Sequence, residues 1–256
     1  VNLTKASRLE TILHKKDETM KIIILVLVIF SQILSAKVIT ATYEVSYGIF
    51  ETLGIADARF ETRDDDTYMI RIEARTSGLA KFLSNNRIET YESHGSIVNG
   101  ELIPKKYIKI RRTDSKKTTK IYTFDHVSKT VWRENIHSDE WERVKNDFYA
   151  PEDVLSLFFN FKNHLKLRQD RAFYAIGGNT KDGRIDVKFP KNQSLIEMKQ
   201  KLEMENGDFL KVILNDRIFA SAQGELLINL DNSGLCEKAI LEDVLLFGDV
   251  VGKRVK

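Results

Sequence analysis

The chain has 256 residues, with 40 Lys and Arg against 37 Asp and Glu and a formal charge of +3. Five of the basic and three of the acidic residues precede Lys37, so from Lys37 onward the balance is 35 against 34, and global charge gives no support to a nucleic-acid partner. The single cysteine, Cys236, excludes an internal disulfide and leaves stability to packing.

Residues 1–19 are polar and mixed in charge and read as an upstream extension ahead of the true start at Met20. Met20 and Lys21 lead into the apolar run Ile22–Phe30, followed by the small-residue segment Ser31–Ala36, which is the order of a secretory signal over 20–36 cut near Ala36. A membrane helix needs about 20 apolar residues, and this run is broken by Ser31, Gln32 and Ser35, so no transmembrane segment is expected in the mature protein. Leu34-Ser35-Ala36-Lys37 offers no cysteine for a lipid anchor. The expected mature protein is therefore not a lipoprotein but a periplasmic, β-rich single domain over 37–256.

From Ala41 the dominant pattern has period two. Ala41–Phe50 places Tyr43, Val45 and Tyr47 on one face, and Leu53–Thr62 and Tyr68–Ala74 continue the alternation across the Asp64-Asp65-Asp66 turn. A short helical piece is expected near 78–83. Asn99-Gly100 and Asn206-Gly207 supply the positive φ angles of tight hairpins, and Tyr122–Trp132, Gly177–Gly183 and Asp231–Gly234 centre further paired runs. Pro151 opens one exception. Val154, Leu157, Phe158, Phe161 and Leu165 recur at helical spacing, with Glu152 and Asp153 placed in the first turn, predicting an amphipathic helix over about 151–165. The expected fold is mainly β: a strongly curved antiparallel sheet or open β-barrel, with the long helix against it or inside it.

The segments TYEVSYGIFETLGIADARFE, ARTSGLAKFLSNNRIETYESHGSIVNGELIPKKY, IYTFDHVSKTVW and PEDVLSLFF occur in that order from Thr42 to Phe161. Together they resemble the exported bacterial family called domain of unknown function 3108, with LEDVLLFGDVVGKRV as a weaker continuation. The resemblance implies a periplasmic β protein of open-barrel type, similar in style to periplasmic lipoprotein carriers. It carries over no catalytic residue and no activity.

Chemistry-bearing patterns are sparse. His94, His126, His137 and His164 show no metal-type spacing, and His137-Ser138-Asp139-Glu140 reads first as a polar turn. Ser96 follows His94-Gly95, but neither a nucleophile elbow nor a Ser-x-x-Lys arrangement is present, and no Gly-rich loop opens a helix to hold a cofactor phosphate. No catalytic, cofactor or metal residue is assigned.

Two candidate binding features remain. Lys105, Lys106, Lys109, Arg111, Arg112, Lys116, Lys117 and Lys120 fall within sixteen residues on a hairpin interleaved with Tyr107 and Tyr122. Such a patch suits an anionic envelope component, although a solvated edge hairpin accounts for the same residues. Leu155, Phe158, Phe159 and Phe161 exceed the need of one helix face and offer the wall of an apolar ligand cavity, with core packing as the alternative. The expectation is a non-enzymatic periplasmic protein that binds a hydrophobic or envelope-derived ligand or a protein partner. An envelope structural or assembly factor without a small ligand competes with it, and a hydrolase acting on envelope polymers stands further off.

Overall fold

The alternating segments pair as one continuous ladder. The computed structural model describes residues 38–256, except 48–49, 138–139, 166–167, 180, 214–223 and 245–247. The upstream extension, the signal segment and the centre of the His137–Glu140 turn lie outside the described residues.

Strands β1 (Val38–Tyr47), β2 (Phe50–Thr62) and β3 (Thr67–Thr76) precede a short helix, α1 (Gly78–Leu83). Strands β4 (Ile88–Val98), β5 (Glu101–Arg112), β6 (Lys117–Asp125), β7 (Thr130–His137) and β8 (Glu140–Lys145) continue the meander. A two-residue strand, β9 (Glu152–Asp153), leads into helix α2 (Val154–Leu165), followed by β10 (Arg171–Ile176) and β11 (Arg184–Lys188). Helix α3 (Asn192–Leu202) comes before β12 (Asp208–Ile213), β13 (Glu225–Leu230), β14 (Cys236–Val244) and β15 (Gly248–Arg254).

All fifteen strands belong to one sheet, ordered β8-β7-β6-β5-β4-β3-β2-β1-β15-β14-β13-β12-β11-β10-β9. Every pairing is antiparallel except the short parallel one between β9 and β10. The edges, β8 and β9, are consecutive in the chain. Laid flat, fourteen strand spacings would separate them by ~67 Å. The seven steps from Lys145 to Glu152 reach at most ~25 Å. The sheet must therefore curl until its edges approach, yet β8 and β9 are not hydrogen-bonded, so the barrel stays open.

One face of the curl carries the core. Tyr43, Ala58, Phe60, Ile70, Ile72, Tyr91 and Tyr107 alternate inward along β1–β5, and α2 packs on this face against β4, β5 and β10. A second cluster lies on the opposite face of β12–β14, where Met198 and Leu202 of α3 cover Phe209, Leu227 and Ile240. Both faces of β13 are thus covered, which is why Leu226–Leu230 is buried residue after residue.

Two expectations require correction. Asn206-Gly207 does not close a hairpin: the residues before it end α3, with Glu203 left-handed at φ 53°, and Gly207 enters β12. Glycine is required there because a Cβ would stand 2.2 Å from the Leu230 carbonyl oxygen. The long helix begins at Val154 rather than Pro151, because Glu152 and Asp153 are drawn into the pairing with Ala175 and Ile176. The Asn99-Gly100 hairpin is present, both residues having positive φ (53° and 81°), as are the turns between β6 and β7, β10 and β11, and β13 and β14.

Candidate functional site

Helix α2 is locked into the open barrel by buried polar groups. The Asp153 Oδ1 accepts the backbone N–H of Leu155 at 2.8 Å and of Ser156 at 3.0 Å, so the acid caps the helix from outside its first turn. Its Oδ2 accepts the Ser93 hydroxyl of β4 at 2.6 Å, and Ser93 also bonds the Tyr68 hydroxyl at 3.0 Å. Two turns along, Asn160 acts as an extra strand. Its Oδ1 accepts the Leu102 N–H at 2.7 Å while its amide donates to the Leu102 carbonyl at 2.9 Å and to Glu152 Oε1 at 2.6 Å. Burial pushes the Asp153 carboxyl up to about 6 against the Ser93, Ser156 and Leu155 hydrogen bonds. Burial also pushes Glu152 up to about 7, opposed by the Asn160 hydrogen bond and reinforced by the neighbouring Asp153 charge.

The apolar residues singled out in this helix come together as core. Leu155, Phe158 and Phe161 are buried, Phe161 meets Phe173 edge-on with centroids 5.4 Å apart, and Phe159 stacks on Phe60 at 3.9 Å.

The basic hairpin is divided by its own pleat. Lys109 and Arg111 share the inward parity of Tyr107, and Lys109 pairs with Lys120 across β6. Arg112 points outward with Lys117 opposite, and Lys116 sits in the connecting turn. Between His94 and Gly95 the register slips, so Lys105 is the extra residue of a β-bulge and both Lys105 and Lys106 are exposed on the outer face.

Inward, beyond α2, the concave face of β4–β8 changes character row by row. Ser93, Tyr107, Tyr122, Arg133 and Val144 form one cross-strand row; Tyr91, Lys109, Lys120, Asn135 and Glu142 form the next. The Tyr107 and Tyr122 rings lie 5.9 Å apart, and the Lys109 ammonium stands 5.3 Å from the Tyr107 ring centre. Tyr107 hydroxyl, Arg133 Nε and Asn135 Oδ1 are buried without a hydrogen-bond partner among the described residues. In the third row Arg111 Nε donates to the buried Glu89 at 3.0 Å, and Arg87 Nε donates to the same carboxylate at 2.9 Å. Burial alone would raise Glu89; the Arg87 and Arg111 charges and the Tyr91 hydroxyl overcome it and hold the carboxyl below its ordinary value.

On the outer face, the bulge borders a depression of about 550 Å³ lined by Arg63, Asp65, His94, Lys105, Lys106 and Ile108, among others. His94 Nε2 stands 3.1 Å from Glu92 Oε2. Among the described residues no group of three or more His, Cys, Asp or Glu side chains is placed to hold a metal ion, and no helix is long and apolar enough to cross a membrane.

The sequence reading missed the roles of Asn160, Arg133 and Asn135. An Asn within an apolar helix stripe was a visible signal for the first; the others announce themselves only through strand register.

No curated protein matches the sequence. Among solved structures the fold is similar to the crystal structure of a β-barrel-like protein of domain of unknown function DUF1849 from Brucella abortus, at 9% identity and a TM-score of 0.49, covering 86% of this chain and 96% of that one. The family described as protein of unknown function (DUF3108) matches residues 42–194, from β1 into the start of α3 and so well beyond Phe161. That span is more than half of the sequence, and the chain belongs to the DUF3108 family.

Proposed function

We propose that this is an exported, non-enzymatic binding protein of the periplasm, released from its leader near Ala36, whose concave face on β5–β7 receives an anionic ligand derived from the cell envelope. The observation that carries the reading is the Arg133 Nε, buried on this face without a hydrogen-bond partner among the described residues, one row from Lys109 and Lys120. A buried donor left unpaired costs free energy, so a ligand that supplies an acceptor there is favoured. A bound anion would accept from the buried Arg133 Nε, beside the tyrosine rings and the two lysines of the next row. Lys120 and Glu142 on this face are exposed, so the row they share is open to a ligand from solvent. A hydrophobic ligand in the same interior would have to displace α2, whose Leu155, Phe158 and Phe161 already occupy it.

Native mass spectrometry of the chain recovered from the periplasm of its host tests the reading, with Lys109→Gln/Lys120→Gln as the comparison. The expected result is an anionic species retained by the wild type and lost from the variant. Thermal melting with alginate, an acidic polysaccharide, should show a salt-sensitive rise that the variant lacks. A wild type that carries no such species and melts unchanged with alginate would sink the reading.

A further inference from the structure

The outer face of the same strands carries a separate feature. Row by row, Ile110, Thr119, Ile136 and Trp141 stand side by side across β5–β8; next to them come Ile108, Ile121, Glu134 and Arg143, then Lys106, Thr123, Trp132 and Lys145. Trp141 is 63% exposed and Trp132 37%, values at which a sheet with an ordinary solvated face would place polar side chains. The apolar patch measures about 14 Å across the strands and about 13 Å along them. Cations surround it: Lys106 and Lys145 at one end, Arg112 and Lys117 at the other, and Arg143 with its guanidinium 5.0 Å from the Trp132 ring centre. Glu134, which stands between them, is 3.7 Å from Arg143. At one corner Ile108, Lys105 and Lys106 pass into the depression that Arg63 and His94 also line.

We propose that this outer face docks the protein onto an anionic lipid bilayer. An indole places an apolar body and a polar N–H at the boundary between headgroup and acyl chain, which is where tryptophans concentrate at membranes. Exposed apolar patches rimmed by polar residues mark interaction sites. The charge rim selects the occupant: it surrounds the patch on more than one side, so the complementary surface must be anionic over an area wider than the patch and apolar beneath. An anionic bilayer meets both conditions. The depression beside Ile108, where Arg63, Lys105 and Lys106 outnumber the single carboxylate of Asp65, receives a lipid phosphate. The ligand face proposed above is the opposite side of these strands, so the two proposals stand or fall separately.

The chain contains two tryptophans, and both lie on this patch, so intrinsic fluorescence reads its environment directly. The full chain is titrated with vesicles of phosphatidylglycerol and phosphatidylcholine, and separately with phosphatidylcholine alone. The expected result is a shift of tryptophan emission to shorter wavelength with the anionic vesicles, reversed by salt and absent with the neutral ones. Lys106→Gln/Lys145→Gln should weaken the binding about thirtyfold. Attachment through the apolar run Ile22–Phe30 alone would be equal for both vesicles and would leave the emission at its aqueous position, which overturns the proposal. So does an emission shift that needs no lipid and grows with protein concentration, because the patch then joins two copies of the chain.

Discussion

Replacing Glu152 by glutamine should stabilise the protein at alkaline pH. Glu152 is part-buried beside the fully buried Asp153, and burial together with that neighbouring charge lifts its carboxyl from 4.5 to about 7, against the opposing pull of the Asn160 amide that it accepts at 2.6 Å. The folded state therefore holds this proton more tightly than the unfolded chain does. Its contribution to stability is fully present below about pH 4.5 and is lost as pH rises through about 7. A shift of that size corresponds to about 3 kcal/mol. Glutamine keeps an oxygen for the Asn160 amide and never ionises. Glu152→Gln should exceed the wild type by up to about 3 kcal/mol at pH 8, with the gap narrowing to about 1 kcal/mol at pH 5. Asp153 titrates in the same direction in a lower window and is common to both proteins, so the difference reports Glu152 together with its coupling to Asp153. Urea denaturation followed by circular dichroism at the two pH values measures the gap, which in thermal melting at pH 8 amounts to about 6–12 °C for a chain of this size. A gap of the same size at both pH values would refute the argument, since Glu152 would then be solvated in the folded state.

Three further outcomes follow from the core. Asn160→Ala leaves the Leu102 N–H and carbonyl without their partner and should cost about 3 kcal/mol in urea; a loss below about 1 kcal/mol would mean that water replaces the amide. Gly95→Ala puts a methyl 2.0 Å from the Ile103 carbonyl oxygen and 2.8 Å from the Tyr68 ring, so the β-bulge must shift and the melting temperature must fall; an unchanged melt would show that the backbone yields there at no cost. Cys236 is fully buried and burial raises its thiol, so iodoacetamide should label it only on unfolding, and rapid labelling of the native chain at pH 8 would contradict its placement.

Much of the sheet was legible because each hairpin states itself locally. Asn99-Gly100 has the residues that a positive-φ turn requires, and the inward set Tyr43, Val45, Tyr47 is written in plain alternation. Helix α3 was hidden because its buried stripe is thin: Met198 and Leu202 face the sheet while Ile196 is exposed, so Asn206-Gly207 was the louder signal and pointed to the wrong partner. Asp153 has a sequence position that suits either the first helical turn or a cap just before it. What separated them was the pairing of Glu152 with Ala175, a contact across more than twenty residues that no local pattern contains.

The basic hairpin gives the sharper lesson about sites. Read as composition, its lysines and arginines form one patch; read with the period of a strand, Lys109 and Arg111 must oppose Lys106 and Arg112 across the sheet. The alternation was present in the sequence, but which parity faced the core was not, since Tyr107 and Ile108 are both credible inward residues. The bulge at Lys105 complicates the matter further by keeping two successive lysines on the outer face. Once Tyr107 is fixed inside by Ser93 and Tyr122 on either side, every charge on the hairpin is assigned a face. Two surfaces of different chemistry result: cations among tyrosines within the curl, and cations around tryptophans and isoleucines outside it. A charge reversal spread over Lys105, Lys109, Arg111 and Lys117 would alter both at once, whereas Lys109→Gln/Lys120→Gln and Lys106→Gln/Lys145→Gln each address one.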